Sequence, residues 1–442
     1  MLDKIFGWSK KKVEEQQKEP AISFGRYSDN NKPIEKVSRW TDADNLFKEK
    51  KFTESFDAFF EYLRDDSMNN VVHERNGAEG RFLFYQGSKI IRGTYNAEHL
   101  EAEATLARMP QANVPVMRRL LEGNFTLYYT RYAMHDERLC MRFDSDVETA
   151  NPSKLYYGLK ELATKADKQD DLLIQDFTSL ESLDTDHIVE IPEAEKEIKY
   201  SWFQKFIAEN LSYIRSLDSD KFSGGIAYML LALAYRIDYL VVPEGKVLQE
   251  IEKIVDIYFK KDERTVLEKN RDMIVEFEKL VNFSKQEVFN ALYRSKHTFA
   301  IVSPQNWKII ADAIYNANQN INWYRDNNYP RIAAQISEYG MGYCQFSYSL
   351  PRPVTEFFHL LMRVNHGEYF KALGFKKTYY SPESNEFNQE KIEAKINNII
   401  DKWKEKYPKL KMKTDKIKYD NLMEFNVSFT TEIEFLNLET NR

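Results

Sequence analysis

The hydrophobic period of this chain shifts repeatedly, and each shift marks a candidate element. From Asp42 the spacing is helical: Phe52, Phe56, Phe59, Phe60 and Leu63 fall at i, i+4, i+7, i+8 and i+11, which puts an aromatic stripe on one face. Strict alternation then takes over at 71–75, 81–85, 89–95 and 100–106, with Gly77, Gly80 and Gln86-Gly87-Ser88 supplying turn chemistry between strands. In the last of these Leu100, Ala102, Ala104 and Leu106 share one face and Glu101, Glu103 and Thr105 the other, as in a sheet covered on one side. A helix is expected after Pro115, with Val116, Leu120 and Leu121 inward and Gly123-Asn124 as its stop. Strands over 125–134 and 138–144 follow, joined at His135-Asp136-Glu137. Asn151 then caps a helix opened by Pro152, with Leu155, Leu159, Leu162, Ala163 and Ala166 as its buried stripe. Residues 45–178 read as α-β-β-β-α-β-β-α.

Residues 1–44 read as a flexible leader, and the acidic, weakly periodic stretch 179–198 as a linker. Helical spacing dominates from 199 onward, over 202–217, 224–240, 246–258, 264–280, 285–293, 304–323 behind a Ser303 cap, 332–348, 354–373 and 389–407. Near the end Met423, Phe425, Val427, Phe429, Ile433 and Phe435 alternate with polar positions, which predicts a strand or hairpin paired within the chain. The expected fold class is α+β: the α-β-β-β-α-β-β-α domain over 45–178, then a mainly helical domain over 199–442 ending in a β segment.

The order of elements over 45–178, with the passage Leu120-Leu121-Glu122-Gly123-Asn124-Phe125 into a hairpin and a final helix, resembles the type III secretion chaperone-like fold, including the bacterial sensory-transduction-regulator group. The resemblance covers under a third of the chain and rests on structural rather than chemical residues. It implies a non-enzymatic binder of other proteins, often a homodimer, and it does not extend to the long carboxy-terminal region.

Composition narrows the picture. At 442 residues with 43% hydrophobic and 30% charged positions, the chain is long enough for more than one core and too hydrophobic for disorder. A net charge of -6 gives no global attraction to nucleic-acid phosphates, so nucleic acid is not an expected partner. Cys140 and Cys344 are too few for a disulfide framework and fit buried thiols in a reducing compartment. The first residues lack the apolar run of a secretory signal, and a cytoplasmic location is expected. The longest apolar run, 224–242, carries Arg236 and Asp238 and reads as a helix buried in a core rather than a membrane span.

Candidate chemistry is sparse. Glu356 and His359 stand at i, i+3 and could aim a carboxylate and an imidazole at a metal from one helical face. None of the other histidines has a glutamate three residues before it, so a structural role for the pair is the expectation and no metal is assigned. Asp144, Asp146 and Glu148 lack the glycine and terminal glutamate of a calcium loop. No phosphate-binding loop, dinucleotide fingerprint or nucleophile elbow occurs, no cofactor is expected, and the reading leans against an enzyme. Gly340 and Gly342 fit close helix packing. Rings concentrate in 323–380, where some could line a groove with Arg325, Arg331, Arg352 and Arg363.

The expected function is to hold a segment of a partner protein against the sheet or an aromatic groove, in a chaperone-like or scaffolding role, with Phe84, Tyr85, Tyr128 and Arg131 as contact residues. One alternative is a metal-dependent enzyme in the helical domain built on Glu356 and His359. Another is a membrane-surface scaffold, with the aromatics between Leu2 and Lys12 inserting beside Lys10, Lys11 and Lys12.

Overall fold

Alternating faces organise the amino-terminal half of the computed structural model, which describes residues 19–440 except 28, 30, 31, 301 and 302. The expected membrane contact through Leu2 to Lys12 lies outside the described residues. Helices α1 (Ile34–Lys48) and α2 (Phe52–Leu63) lead into β1 (Val71–Asn76), β2 (Glu79–Gln86), β3 (Lys89–Tyr95) and β4 (His99–Arg108). Then come α3 (Val114–Gly123), β5 (Arg131–His135), β6 (Arg138–Asp146) and α4 (Pro152–Asp176). The strands form one antiparallel sheet in the order β1-β2-β3-β4-β6-β5. The left-handed residues Gly77 (φ 64°) and Asp136 (φ 53°) turn the β1–β2 and β5–β6 hairpins.

Register decides which side chains enter the core. One inner row runs Phe84, Ile91, Ala104, Met141 and Tyr132 across the sheet, and another runs Phe82, Gly93, Ala102 and Phe143. These pack on the stripes of α2 and α4, with Phe56, Phe59, Phe60, Leu155, Leu159 and Leu162 fully buried. The order of elements is α-α-β-β-β-β-α-β-β-α: it adds one helix, and the four strands read at 71–106 are all present where the order α-β-β-β-α-β-β-α counts three. Helix α1 begins at Ile34, inside the stretch read as leader. It carries no apolar stripe, and Ala43 is its buried residue, so periodicity could not mark it.

The rest is helical: α5 (Glu193–Arg215), α6 (Ser223–Leu240), α7 (Gly245–Phe259), α8 (Val266–Val281), α9 (Lys285–Asn290), α10 (Trp307–Asp326), α11 (Pro330–Ser347), α12 (Arg352–Asn365), α13 (Gly367–Ala372), α14 (Gln389–Trp403) and α15 (Leu422–Glu434). Among the described residues no helix is long and apolar enough to cross a membrane. The apolar run at 224–242 is α6, the central helix of this core, buried from Met229 to Leu240. Gly342 lets α11 approach it, since a Cβ there would lie 2.9 Å from the Cβ of Tyr235.

Two expectations are corrected here. The terminal segment is helix α15, not a strand or hairpin. Its alternating residues contain a helical subset, and Phe425, Phe429 and Ile433 at i, i+4, i+8 are the ones buried, behind an Asn421 cap that accepts from Glu424 N–H (3.0 Å). The stretch 354–373 is two helices, α12 and α13, broken at His366.

The halves are tied at a polar junction. Residues 181–190 do not hang free: Arg108 and Glu181 exchange main-chain bonds (2.8 and 2.9 Å), and Val189–Glu190 pairs with Tyr293–Arg294. Phe299 enters the core of the sheet, edge-on to Phe84. Buried Lys89 reaches Asp170 (2.7 Å), and Asp167 accepts from Ser88 N–H (2.7 Å). Burial, then the charges of Asp170 and Glu244, push the Asp171 carboxyl up to about 8, and burial raises Asp167 well above its usual range. Such groups bind protons more tightly folded than unfolded. For Asp171 the stabilisation is complete below the unfolded value of 3.8 and is lost as pH rises through about 8, and Asp167 acts in the same direction. The melting temperature should therefore fall by about 5–10 °C between pH 5 and pH 9, and Asp171→Asn should flatten that fall. Thermal melts across that range check it, and a flat wild-type profile would show that these carboxyls are hydrated.

Candidate protein-docking surface

Helix α3 has two apolar faces. Asn113 caps it by accepting from Val116 N–H (3.2 Å), and Val116 and Leu120 face the core. Val114 (73% exposed), Met117 and Leu121 (65% exposed) form a second stripe pointing to solvent. Leu121, expected inward, is thus on the outer stripe, because a helix this short can satisfy the core with one face. Phe125, in the short turn 124–126 that follows, and Tyr128, in the loop after it, are each 92% exposed, and Tyr129 and Met134 are half exposed. With rings contributing about 150–250 Å² each, the patch presents on the order of 1,000 Å² of side-chain surface, above the few hundred typical of a monomer.

This loop is held rather than loose. Glu161 of α4 accepts from the backbone N–H groups of Tyr128 (2.9 Å), Tyr129 (2.7 Å) and Thr130 (2.9 Å), and from the Thr130 hydroxyl (3.1 Å). Successive N–H groups converging on one carboxylate form an anion nest, and here the anion is built in. Asn124 Oδ1 accepts from Tyr132 N–H (2.8 Å). Glu161 takes the donors at 128–130 that a strand over 125–134 would need for its ladder. The strand therefore begins at Arg131, and Tyr128 lies in the preceding loop.

Arg131 opens the edge strand β5 and closes the outer row of the sheet, which reads Val72, Leu83, Arg92, Glu103, Arg142 and Arg131. The next row is Glu74, Arg81, Thr94, Glu101 and Asp144. Val72, Leu83, Arg92, Glu103 and Arg142 of the first row and Glu74, Arg81, Thr94 and Glu101 of the second line a shallow hollow of about 540 Å³ on the face turned away from α2 and α4, and Arg131 and Asp144 line a neighbouring hollow of about 900 Å³. Its charges are matched internally: Arg131 pairs with Asp144, Arg142 with Glu101 (2.9 Å), and Arg92 with Asp184 (2.6 Å). Exposed pairs of this kind are worth little to stability and are free to exchange partners.

The other proposed contact residues are placed differently. Phe84 is fully buried on the inner face, so it cannot meet a partner in the folded chain. Tyr85 is on the outer face but half covered by the junction, with His187 at 5.3 Å and Lys296 over its ring at 4.9 Å. Tyr128 and Arg131 lie three residues apart where the chain enters the edge strand β5, with three strands between them and Phe84 and Tyr85 on β2. The sequence reading missed Glu161, whose position on α4 carries no local signal, and the outward stripe of α3.

Glu356 and His359 do not converge. Glu356 Oε1 accepts from Lys402 Nζ (2.6 Å) and Trp403 Nε1 (2.9 Å), whereas His359 Nδ1 meets the Tyr239 hydroxyl (3.1 Å) among aromatic rings. Burial pushes His359 down to about 3, so it is neutral. Cys140 and Cys344 are buried, which raises both thiols, Cys140 to about 12. Comparison with protein families finds no match, and comparison with curated proteins finds no similar sequence.

Replacing Glu161 with alanine removes a charged acceptor from three N–H groups. It should cost about 1–3 kcal/mol of stability and speed amide exchange at Tyr128–Thr130, while Glu161→Gln retains part of both. Exchange unchanged in the alanine variant would mean that other contacts hold the loop.

Proposed function

We propose that this chain is a non-enzymatic protein-binding factor, chaperone-like or scaffolding, that docks a partner protein through the outer stripe of α3 and the 124–130 loop. The observation that carries the reading is the exposure of Phe125 and Tyr128, 92% each, with the backbone of Tyr128 to Thr130 held by Glu161. A pre-ordered aromatic loses little conformational entropy on binding, which is why such residues dominate interface energetics. Arg131 and the open sheet face beside it supply the polar rim. Buried thiols at Cys140 and Cys344 support a reducing, cytoplasmic setting.

A second copy is one candidate partner, and the α3 sequence favours it. Laid antiparallel on another α3, Val114 of one copy meets Phe125 of the other, Met117 meets Leu121, and Arg118 meets Glu122. Such a two-fold contact is self-complementary in both apolar surface and charge.

Phe125→Ala/Tyr128→Ala should lower partner capture by at least ~10-fold, as expected for two hot-spot rings, while leaving the melting temperature nearly unchanged. Affinity capture followed by light scattering reads both kinds of partner. Loss of a dimer in the variant identifies the second copy, loss of a different stoichiometric protein identifies a heterologous partner, and identical behaviour of variant and wild type sinks the proposal.

A further inference from the structure

The segment 19–27, which forms neither helix nor strand, lies against the helical half and is held by side-chain anchors of three different chemistries. The Glu19 carboxylate meets Arg363 of α12 through both oxygens (3.1 Å each). Arg363 is itself buried, with the rings of Phe370, Phe375 and Tyr379 5.0–5.6 Å away, and its Nε has no hydrogen-bond partner among the described residues. Phe24 fills an aromatic pocket between Phe370 (5.1 Å), His359 (5.3 Å) and Phe375 (5.9 Å). Arg26 donates to Asp238 (2.6 Å), Glu244 (3.3 Å) and the carbonyl of Pro243 (2.7 Å). Between the last two anchors Gly25 adopts φ 71°, and a Cβ there would lie 2.8 Å from the Tyr239 ring.

Among the described residues, the segment's one main-chain to main-chain bond runs from Gly25 N–H to the Tyr239 carbonyl (2.9 Å). A strand or helix would add a main-chain bond at every residue or two. This segment is instead attached as a peptide ligand is, by end groups dropping into preshaped sites. Arg363 also has contacts that do not involve Glu19: the ring cage and a bond to the Lys377 carbonyl (3.1 Å). A buried guanidinium in that position demands an acid, so the groove selects its occupant rather than tolerating vacancy.

We infer that the groove between α6, α12 and α13 is a peptide-recognition site that the chain's own segment fills in cis, and that a partner segment with the pattern Glu-x-x-x-x-Phe-Gly-Arg takes its place in trans. The pattern follows from the anchors: a carboxylate for Arg363, an aromatic ring five residues later, glycine where no Cβ fits, and a guanidinium for Asp238 and Glu244. The site is separate from α3 and needs nothing from the docking surface proposed above. Tethering gives the resident segment an effective concentration of about millimolar, so a competitor succeeds only when it is abundant, multivalent or better matched.

The test uses the full-length chain and a labelled peptide of residues 19–27, EPAISFGRY, followed by fluorescence anisotropy. Glu19→Ala/Phe24→Ala weakens the resident segment, and this variant should bind the peptide at least ~10-fold more tightly than wild type does. Adding Arg363→Met, or changing the peptide's phenylalanine to alanine, should abolish the gain. A cooperatively melting variant that binds no better than wild type overturns the inference. Amide exchange on the unmodified protein gives a second reading that does not depend on the variant's folding. The Gly25 amide should exchange at least ~100-fold faster than those of α6, and exchange at the α6 rate overturns the inference, because such a segment leaves only when the whole protein unfolds.

Discussion

Helix α6 is buried along most of its length, yet it carries Arg236 and Asp238, and the arrangement of the helical half follows from neutralising those two charges. Removing an unpaired charge from water costs several kcal/mol after relaxation, so each must bring a partner with it. Arg236 is met by Glu338 of α11 (2.6 Å), which also binds His366 at the α12–α13 break (3.0 Å). Burial alone would raise Glu338, but Arg236 and His366 outweigh it and hold the carboxylate down at about 2. Asp238 is met by Arg26, which draws the segment 19–27 across the groove. Two charges on one apolar helix thus fix α11, the α12–α13 corner and the path by which the chain enters the sheet domain.

Pairing of polar groups also shapes the 124–130 loop. A loop presenting bulky rings to solvent gains nothing from burial and would ordinarily fray. Here the backbone N–H groups of Tyr128, Tyr129 and Thr130 are satisfied by Glu161, so the main chain that carries the two rings is fixed without the rings being buried. The restraint comes from α4, which also roofs the inner face of the sheet with Leu155, Leu159 and Leu162. Display and core packing are therefore coupled through one helix, and the groove holding residues 19–27 is built by the same economy on α12, where Arg363 is caged by rings that also close the core.

The elements that could be read from the sequence share one property: their burial pattern is local. The strands at 71–106 and the helix behind Asn151 were legible because period-2 and period-3.6 spacing survive wherever one face is covered. The terminal helix was misread because Phe425, Phe429 and Ile433 satisfy both periods, and only contact with α10 and α11, through Thr430 to Asn318 (2.9 Å) and Asn426 to Ala334 (3.4 Å), selects the helix. Tyr128 and Arg131 are legible as surface residues near a hairpin, whereas the sequence leaves open which sheet face is free, and the structure turns Phe84 inward. In a strand a single step of register exchanges core for solvent, so Phe84 and Leu83 trade roles on the strength of one residue.

What the sequence determined by itself was the mixed architecture, the burial of the 224–242 run and the lack of known catalytic motifs, because each depends on composition or on neighbours a few residues apart. What only the tertiary structure decided were the pairings across long stretches of chain: Glu161 under Tyr129, Arg363 with Glu19, and Lys89 with Asp170. A charge seeks a partner wherever the packed core leaves one within reach. That reach is set by which helices share a groove, and no spacing along the chain encodes it.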